Sequence, residues 1–231
     1  MRTLAKVIFL IIALATGVVS TTLGITANFT PATYNPNVGE SLLFNVIRPV
    51  VERGSATYEW DFDGDGAYEI STGDELIRHT FDEPGHHNIT LRVTATDGRR
   101  VTRMKEILVG ASPLYAIRTA TTIEHGAISV LITIVAREWI KAPGFVEKLP
   151  VGFKAKPVEP GEAMGAKINT SNNSLEVLFS EIAEGEERSF RYRLYPLTEA
   201  EAGCPVLNGL VSGYGTNGRI EAQICGDLSQ Y

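Results

Sequence analysis

From residue 41 onward the chain repeats one device, a short run of alternating apolar and polar residues. "SLLFNV", "TYEWDF", "NITLRVTAT", "AISVLITIV", "SLEVLF", "RSFRYRLY" and "RIEAQI" follow one another, with Gly, Pro, Asn or Asp in most intervals. Alternation with period 2 puts neighbouring side chains on opposite faces of a strand. In "NITLRVTAT", Ile89, Leu91 and Val93 then share one face while Thr90, Arg92 and Thr94 share the other. The same arithmetic turns Phe190, Tyr192 and Leu194 inward. One dry face and one wet face suit antiparallel strands packed in two layers, and helix signals are scarce after residue 27. The predicted fold is all-β: two tandem Ig-like β-sandwiches after an N-terminal hydrophobic segment.

That segment, residues 1–27, belongs to a different solvent. "MRTLAK" carries two basic residues and "VIFLIIALATGVVS" then runs apolar, the layout of a secretory signal. Val18-x-Ser20 and Ile25-x-Ala27 both serve as small-residue cleavage sites, yet the uncharged run is also long enough to cross a membrane as an anchor. A signal peptide and a signal anchor both remain open, the second bringing membrane contact through residues 7–27. Either predicts a secreted protein or one on the outer face of the cell membrane or envelope. A net charge of −6 argues against nucleic acid as partner, since a phosphate backbone selects clustered Lys and Arg.

"LVGASPLYA" reads as a break: a strand ends at Val109 and Gly110–Pro113 is turn-prone. It divides the chain into segments 28–110 and 114–231. Cys204 and Cys225 are the only cysteines. In an oxidising compartment they predict one disulfide, closing a loop of about 20 residues and contributing about 2–4 kcal/mol; two buried free thiols are the competing reading.

"NPNVGESLLFNV", "YEWDFDGDG" and "HTFDEPGHHNITLRVTATDG" together resemble the PKD domain, an Ig-like sandwich module common on microbial surface proteins. The resemblance implies a core motif of Trp60, Phe62, Gly64, Gly66, His79, Phe81 and Gly85. Trp60 and Phe62 share a strand face, so large aromatics can enter the space between sheets. Gly64 and Gly66 permit a tight reversal, and Pro84-Gly85 a turn. His87 departs from the aromatic usual in the family. The triplet Asp61, Asp63, Asp65 meets the first positions of an EF-hand loop, but position 12 is Thr72 and the flanks are strands, which excludes an EF-hand. Two readings stay open for it. One is a looser structural calcium site, which the resemblance implies is held by Asp61, Asp63 and Asp65 with backbone carbonyls; in a variant of it Asp61 faces away and the carbonyl of Ala67 or a carboxylate such as Asp74 completes the shell. The other is a metal-free acidic turn whose carboxylates bond backbone N–H groups.

"FVEKLPVGFKAKPVEPGE" and "NSLEVLFSEIAEGEERSFRYRLYP" resemble conserved-repeat β-sandwich domains of bacterial and archaeal cell-surface proteins. Glu147, Leu149, Pro150, Gly152 and Phe153 match the first part, and Gly185, Glu186, Tyr192 and Leu194 the second. The cysteines would then staple the C-terminal hairpin, where Tyr214 sits between glycines as a candidate stacking residue. Asn28, Asn88, Asn169 and Asn172 fit the glycosylation acceptor pattern. His79, His86, His87 and His125 lack zinc-ligand spacing, and no nucleophile elbow or paired acid motif points to catalysis. These residues predict a non-catalytic surface protein that binds envelope proteins or polysaccharide, or acts as an adhesion or spacer module. An accessory or degenerate subunit of an extracellular hydrolase is the alternative.

Overall fold

The computed structural model describes residues 25–47, 56–159, 161–198 and 205–227. The apolar N-terminal run and Cys204 therefore lie outside the described residues. Among the described residues no helix is long and apolar enough to cross a membrane, and strands account for nearly all regular structure, with one 3-10 turn at Glu124–Gly126.

The first core is enclosed by β1 (Phe29–Pro31), β2 (Ser41–Val46) and β5 (Leu76–Thr80) on one side. Facing them are β3 (Ala56–Asp61), β4 (Ile70–Thr72), β6 (Gly85–Ala95) and β7 (Arg100–Val109) in the order β4-β3-β6-β7. Phe29, Phe44, Trp60, Phe62 and Phe81 meet between the layers, all nearly or fully buried. Trp60 and Phe62 stack with centroids 5.4 Å apart and planes 4° apart, while Phe29 meets Trp60 edge-on at 5.1 Å. Ile89, Leu91 and Val93 line the opposite wall, as the alternation predicts.

The second core has its own strands: β8 (Leu114–Thr122), β9 (Ile128–Ala136), β10 (Ile140–Lys148), β11 (Phe153–Glu159), β12 (Gly165–Asn169), β13 (Ser174–Leu178), β14 (Glu181–Ile182), β15 (Glu187–Pro196), β16 (Asn208–Gly215) and β17 (Gly218–Asp227). One layer runs β11-β15-β9-β8 and the other β12-β13-β10-β16-β17, with β14 paired to β10. Val130, Ile132 and Ile134 of β9 oppose Phe145, Val177 and Val211 across the sandwich in one cluster. Phe190, Tyr192 and Leu194 are buried beside them.

The two halves are joined by β17. Its first part, Gly218–Gln223, pairs with β16, and its end then crosses to the other layer. There Ile224–Gly226 run parallel to Ala116–Arg118 of β8, while Gly226 and Asp227 pair antiparallel with Glu106 and Lys105 of β7. One sheet, β4-β3-β6-β7-β17-β8-β9-β15-β11, thus passes through both cores. Gly226 has φ +94°, and a Cβ there would lie only 2.2 Å from the Arg118 carbonyl oxygen. No other residue fits without moving a backbone.

Charge fixes this insertion. Arg103 and Lys105 share the β7 face of Ile107 and Val109, which buries both cations. Asp227, 2% exposed, answers them: Oδ1 lies 2.7 Å from the Arg103 guanidinium and 3.1 Å from Lys105 Nζ. Its Oδ2 accepts the Ala120 N–H at 2.8 Å, and its carbonyl accepts Arg118 Nη1 at 3.1 Å. Burial pushes the Lys105 ammonium below its ordinary range, against the pull of Asp227. Beside the seam Asn35, 1% exposed, donates to the Leu108 and Gly110 carbonyls, and its own carbonyl accepts Arg137 Nη2 at 2.9 Å. The turn at 110–113 is therefore pinned from both sides.

The disulfide expected between Cys204 and Cys225 involves a residue outside the described ones, Cys204. Cys225 is a free, fully buried thiol on β17, packed where the strand passes between β7 and β8. Burial, helped by the Glu106 carboxylate, pushes it well above the usual thiol range, so it behaves as a small apolar side chain. The β16–β17 ladder holds its hairpin.

Asp227→Ala would leave two buried cations without a counter-charge, so a loss of about 3–5 kcal/mol is expected in urea unfolding. Replacing Arg103, Lys105 and Asp227 together by apolar residues should recover most of it; equal losses in the single and triple variants would contradict the seam's electrostatic origin.

Candidate functional site

The acidic loop follows β3 directly. Asp61 ends that strand, buried at 3% exposure, and folds back on the loop. Its Oδ1 accepts the Gly64 N–H at 2.6 Å and its Oδ2 the Gly66 N–H at 3.1 Å. Those glycines have φ +76° and +88°, the left-handed region that lets both amides turn toward one carboxylate. Asp63 accepts the Asp65 N–H and Asp65 the Ala67 N–H, each two residues on. Asp61 therefore faces the loop, not away from it, and organises the turn.

A fourth carboxylate, Glu69, joins the three, bringing oxygens of all four within 4.8 Å of one another. Glu69 also accepts the Phe62 N–H at 2.9 Å. Calcium holds oxygens at about 2.3–2.6 Å, so ligands of one ion stand at most about 5 Å apart, and the cluster has that span. Asp74, the acid expected from sequence, is not in the group. Glu69 sits just outside the glycine-rich motif, and the turn's return toward β4 is what carries it back. Tyr68 beside it lies under the Arg92 guanidinium at 3.8 Å, and Arg92 forks onto Glu59 at 2.7 and 2.6 Å.

His79 stacks face to face on Phe62, centroids 4.0 Å apart, and His87 lies against Phe81 at 4.8 Å. His86 approaches Glu106 at 3.0 Å. The histidines are thus spent singly. Asn88 and Asn172 are exposed, and Asn28 and Asn169 half-buried. Asn169 already donates to Glu176 at 2.8 Å.

In the second core the matched motif residues converge. Glu147 of β10 and Tyr192 of β15 are both fully buried, and between them stands Arg118 of β8. Arg118 Nε and Nη2 each donate to a Glu147 carboxylate oxygen at 2.9 Å, a fork bridging the two layers. Burial pulls the Arg118 guanidinium down, but Glu147 outweighs it and holds the group charged. The Tyr192 phenol is pushed up by burial and by Glu147. Gly209 makes room, since a Cβ there would sit 2.3 Å from Glu147 Oε2. Sequence reasoning missed Arg118 and Asp227. A signal existed for the first, because Leu114, Ala116, Arg118 and Ala120 occupy one parity of "LYAIRTATT".

The outer face of the β13-β10-β16 layer is open and apolar. Val146 and Leu210 are direct cross-strand neighbours, Leu178 stands opposite Gly144, and a groove of about 440 Å³ is lined by Val146, Leu178, Gly144 and Ala166 with Lys167 and Glu176. At its end Tyr214 is 55% exposed opposite Lys141, whose Nζ lies 5.3 Å from the exposed ring of Trp139. Tyr214 thus has an aromatic companion that sequence reasoning did not name.

Residues 26–109 match the family profile described as the PKD domain. No curated protein matches the chain. Among solved structures the chain is similar to chitinase ChiA74 from Bacillus thuringiensis, at 14% identity and TM-score 0.41, with 74% of this chain and 26% of the chitinase covered. It therefore spans about a quarter of that enzyme's length. It is also similar to the full-length major pilin SpaD from Corynebacterium diphtheriae, at 12% identity and TM-score 0.41, covering 75% of this chain and 60% of the pilin. The collagen adhesin (CNA) from S. aureus aligns at 8% identity and TM-score 0.31, covering 90% of this chain and 94% of the adhesin.

Two outcomes are expected. Glu147→Gln should cost about 3–5 kcal/mol in urea unfolding, while Arg118→Met with Glu147→Leu should fall within about 1–2 kcal/mol of wild type, because the pair's desolvation cost vanishes with it. For His79, burial against Phe62 holds the imidazole below its ordinary value of 6.5, against the opposing pull of Glu69. The unfolded chain therefore takes up the proton first, so this stability is present above 6.5 and lost as pH falls below it. Melting temperature should decline from pH 7 to 5, and less steeply in His79→Phe; parallel slopes would remove His79 from the account.

Proposed function

We propose that this protein is a non-catalytic, exported module of the cell surface that holds a binding surface for envelope protein or polysaccharide in a fixed orientation. The observation that carries this reading is the shared sheet. Segments joined by a short turn move relative to one another by default, and here a strand of the second core is built into the sheet of the first. Buried charge goes into that junction and into the Arg118–Glu147 bridge, both of which hold layers together. The PKD match at residues 26–109 supports an extracellular setting, as does the apolar N-terminal run with its basic start. The open face with Trp139, Tyr214 and the groove beside Val146 supplies apolar contact area of the kind binding surfaces use.

Calcium belongs to this reading as a brace. Asp61, Asp63, Asp65 and Glu69 would hold the ion, and its charge would offset the mutual repulsion of carboxylates on one short turn.

Protease shaving of intact cells should remove the protein, and NMR relaxation should return one rotational correlation time for both halves. A protein protected inside the cell would overturn the surface role, and two correlation times the fixed orientation. For calcium, the melting temperature should rise with the ion over chelator, and the rise should vanish in Asp63→Asn with Asp65→Asn. An unchanged melt would remove the ion from the loop.

A further inference from the structure

The outer face of β11-β15-β9-β8 carries charge of the opposite sign to the chain. With Phe190, Tyr192 and Leu194 inward, alternation turns Arg191, Arg193 and Tyr195 outward on β15. The register of β11 sets Lys154 opposite Tyr195 and Lys156 opposite Arg193, and both lysines are exposed. On the other flank β9 sets Ser129 opposite Arg193 and Leu131 opposite Arg191, and β8 continues with Thr121 and Thr119. Strands lie about 4.8 Å apart and alternate residues about 6.7 Å apart along a strand. The four cations therefore spread over about 14 Å along the two strands, next to a strip of hydroxyls.

This arrangement is costly without a ligand. Like charges directly opposite in an antiparallel pair destabilise the sheet, and Lys156 faces Arg193 in that way. The chain has 27 acidic residues against 21 basic ones, yet Lys154, Lys156 and Arg193 make no ion pair among the described residues. Arg193 Nε is buried with no hydrogen-bond partner. Glu159 holds the register position opposite Arg191, Glu187 lies opposite Val135, and Glu162 is engaged by Arg188 at 2.8 Å. Lys154, Lys156 and Tyr195 are exposed, with Arg193 and Ser129 half-buried beside them.

We infer that this face docks an anionic polysaccharide, a chain carrying carboxylate, sulfate or phosphate groups about 5 Å apart. The inference rests on the surface-binding role proposed above and adds to it a ligand chemistry at a second face, on the layer opposite Trp139 and Tyr214. Arg193 and Lys156 meet the anions, since a guanidinium forks onto an oxyanion and an ammonium meets it as a point charge. Ser129, Thr121 and Thr119 supply hydroxyls for sugar oxygens, and the Tyr195 ring packs on a sugar face. A thin single chain fits a patch this small. Duplex nucleic acid, with one charge per about 1.7 Å, would overrun the patch and meet the acidic remainder of the surface.

Biolayer interferometry of the purified protein with polygalacturonate, dextran sulfate, neutral dextran and duplex DNA tests this. Binding to one or both anionic polysaccharides is expected, weakening at least tenfold from 50 to 300 mM NaCl, with none to neutral dextran. Lys156→Gln with Arg193→Gln should weaken it at least tenfold while leaving the melting temperature unchanged or raised, and Trp139→Ala with Tyr214→Ala, on the other layer, should leave it intact. Loss of binding only in the aromatic variant, equal or tighter binding to DNA, or no binding to either polyanion overturns the inference. Shaving of intact cells decides the surface role separately: a surface-exposed protein that ignores polyanions sinks this inference alone.

Discussion

The Asp227 carboxylate is the interaction on which the architecture turns. Arg103 and Lys105 occupy core-facing positions of β7, where a charge is tolerated only if paired and hydrogen-bonded. Their anion comes from β17, so the first sandwich's buried edge is electrically complete only when the second sandwich is in place. Gly226 permits the backbone approach, and the Ala120 N–H donates to the carboxylate's other oxygen. Packing alone would join two sandwiches loosely; a carboxylate committed to groups from β7 and β8 fixes their angle as well.

A second buried pair repeats the logic within the second core. Arg118 and Glu147 bridge its layers at 2.9 Å, and Arg118 also reaches the Asp227 carbonyl. The two charge clusters are thus linked by one guanidinium. Buried ion pairs contribute little net stability against apolar replacements, and their attested use is to select one arrangement among several. Here that arrangement is the register of β17 between β7 and β8.

Much of the fold is legible in alternation. "NITLRVTAT", "AISVLITIV" and "RSFRYRLY" lie in strands with the predicted faces inward, because each has one dry side and period 2 leaves no ambiguity. "RVTRMKEILV" and "LYAIRTATT" are harder to read, since Arg103, Lys105 and Arg118 stand at inward positions where apolar residues are expected. Their partners lie far away in the chain, beyond the reach of local pattern. The burial of Cys225 on β17 was not legible for a related reason: cysteine count and compartment say nothing of which way a side chain points. The acidic loop was half legible. Spacing located the Asp61 turn, while Glu69 entered through a return of the chain that spacing does not encode.

The pairing of β17 with β8 also sets an order of events during folding. Ala120 and Asp227 are separated by 107 residues, so this contact closes late, after most local hairpins have formed. Until then β7 and β8 present unpaired edges, the kind of strand border that invites aggregation. The same Arg103 and Lys105 that later demand Asp227 stand on the β7 edge during that interval. Their charge guards it against every strand that lacks an acid in the right place, and so acts as a password for the strand that belongs there.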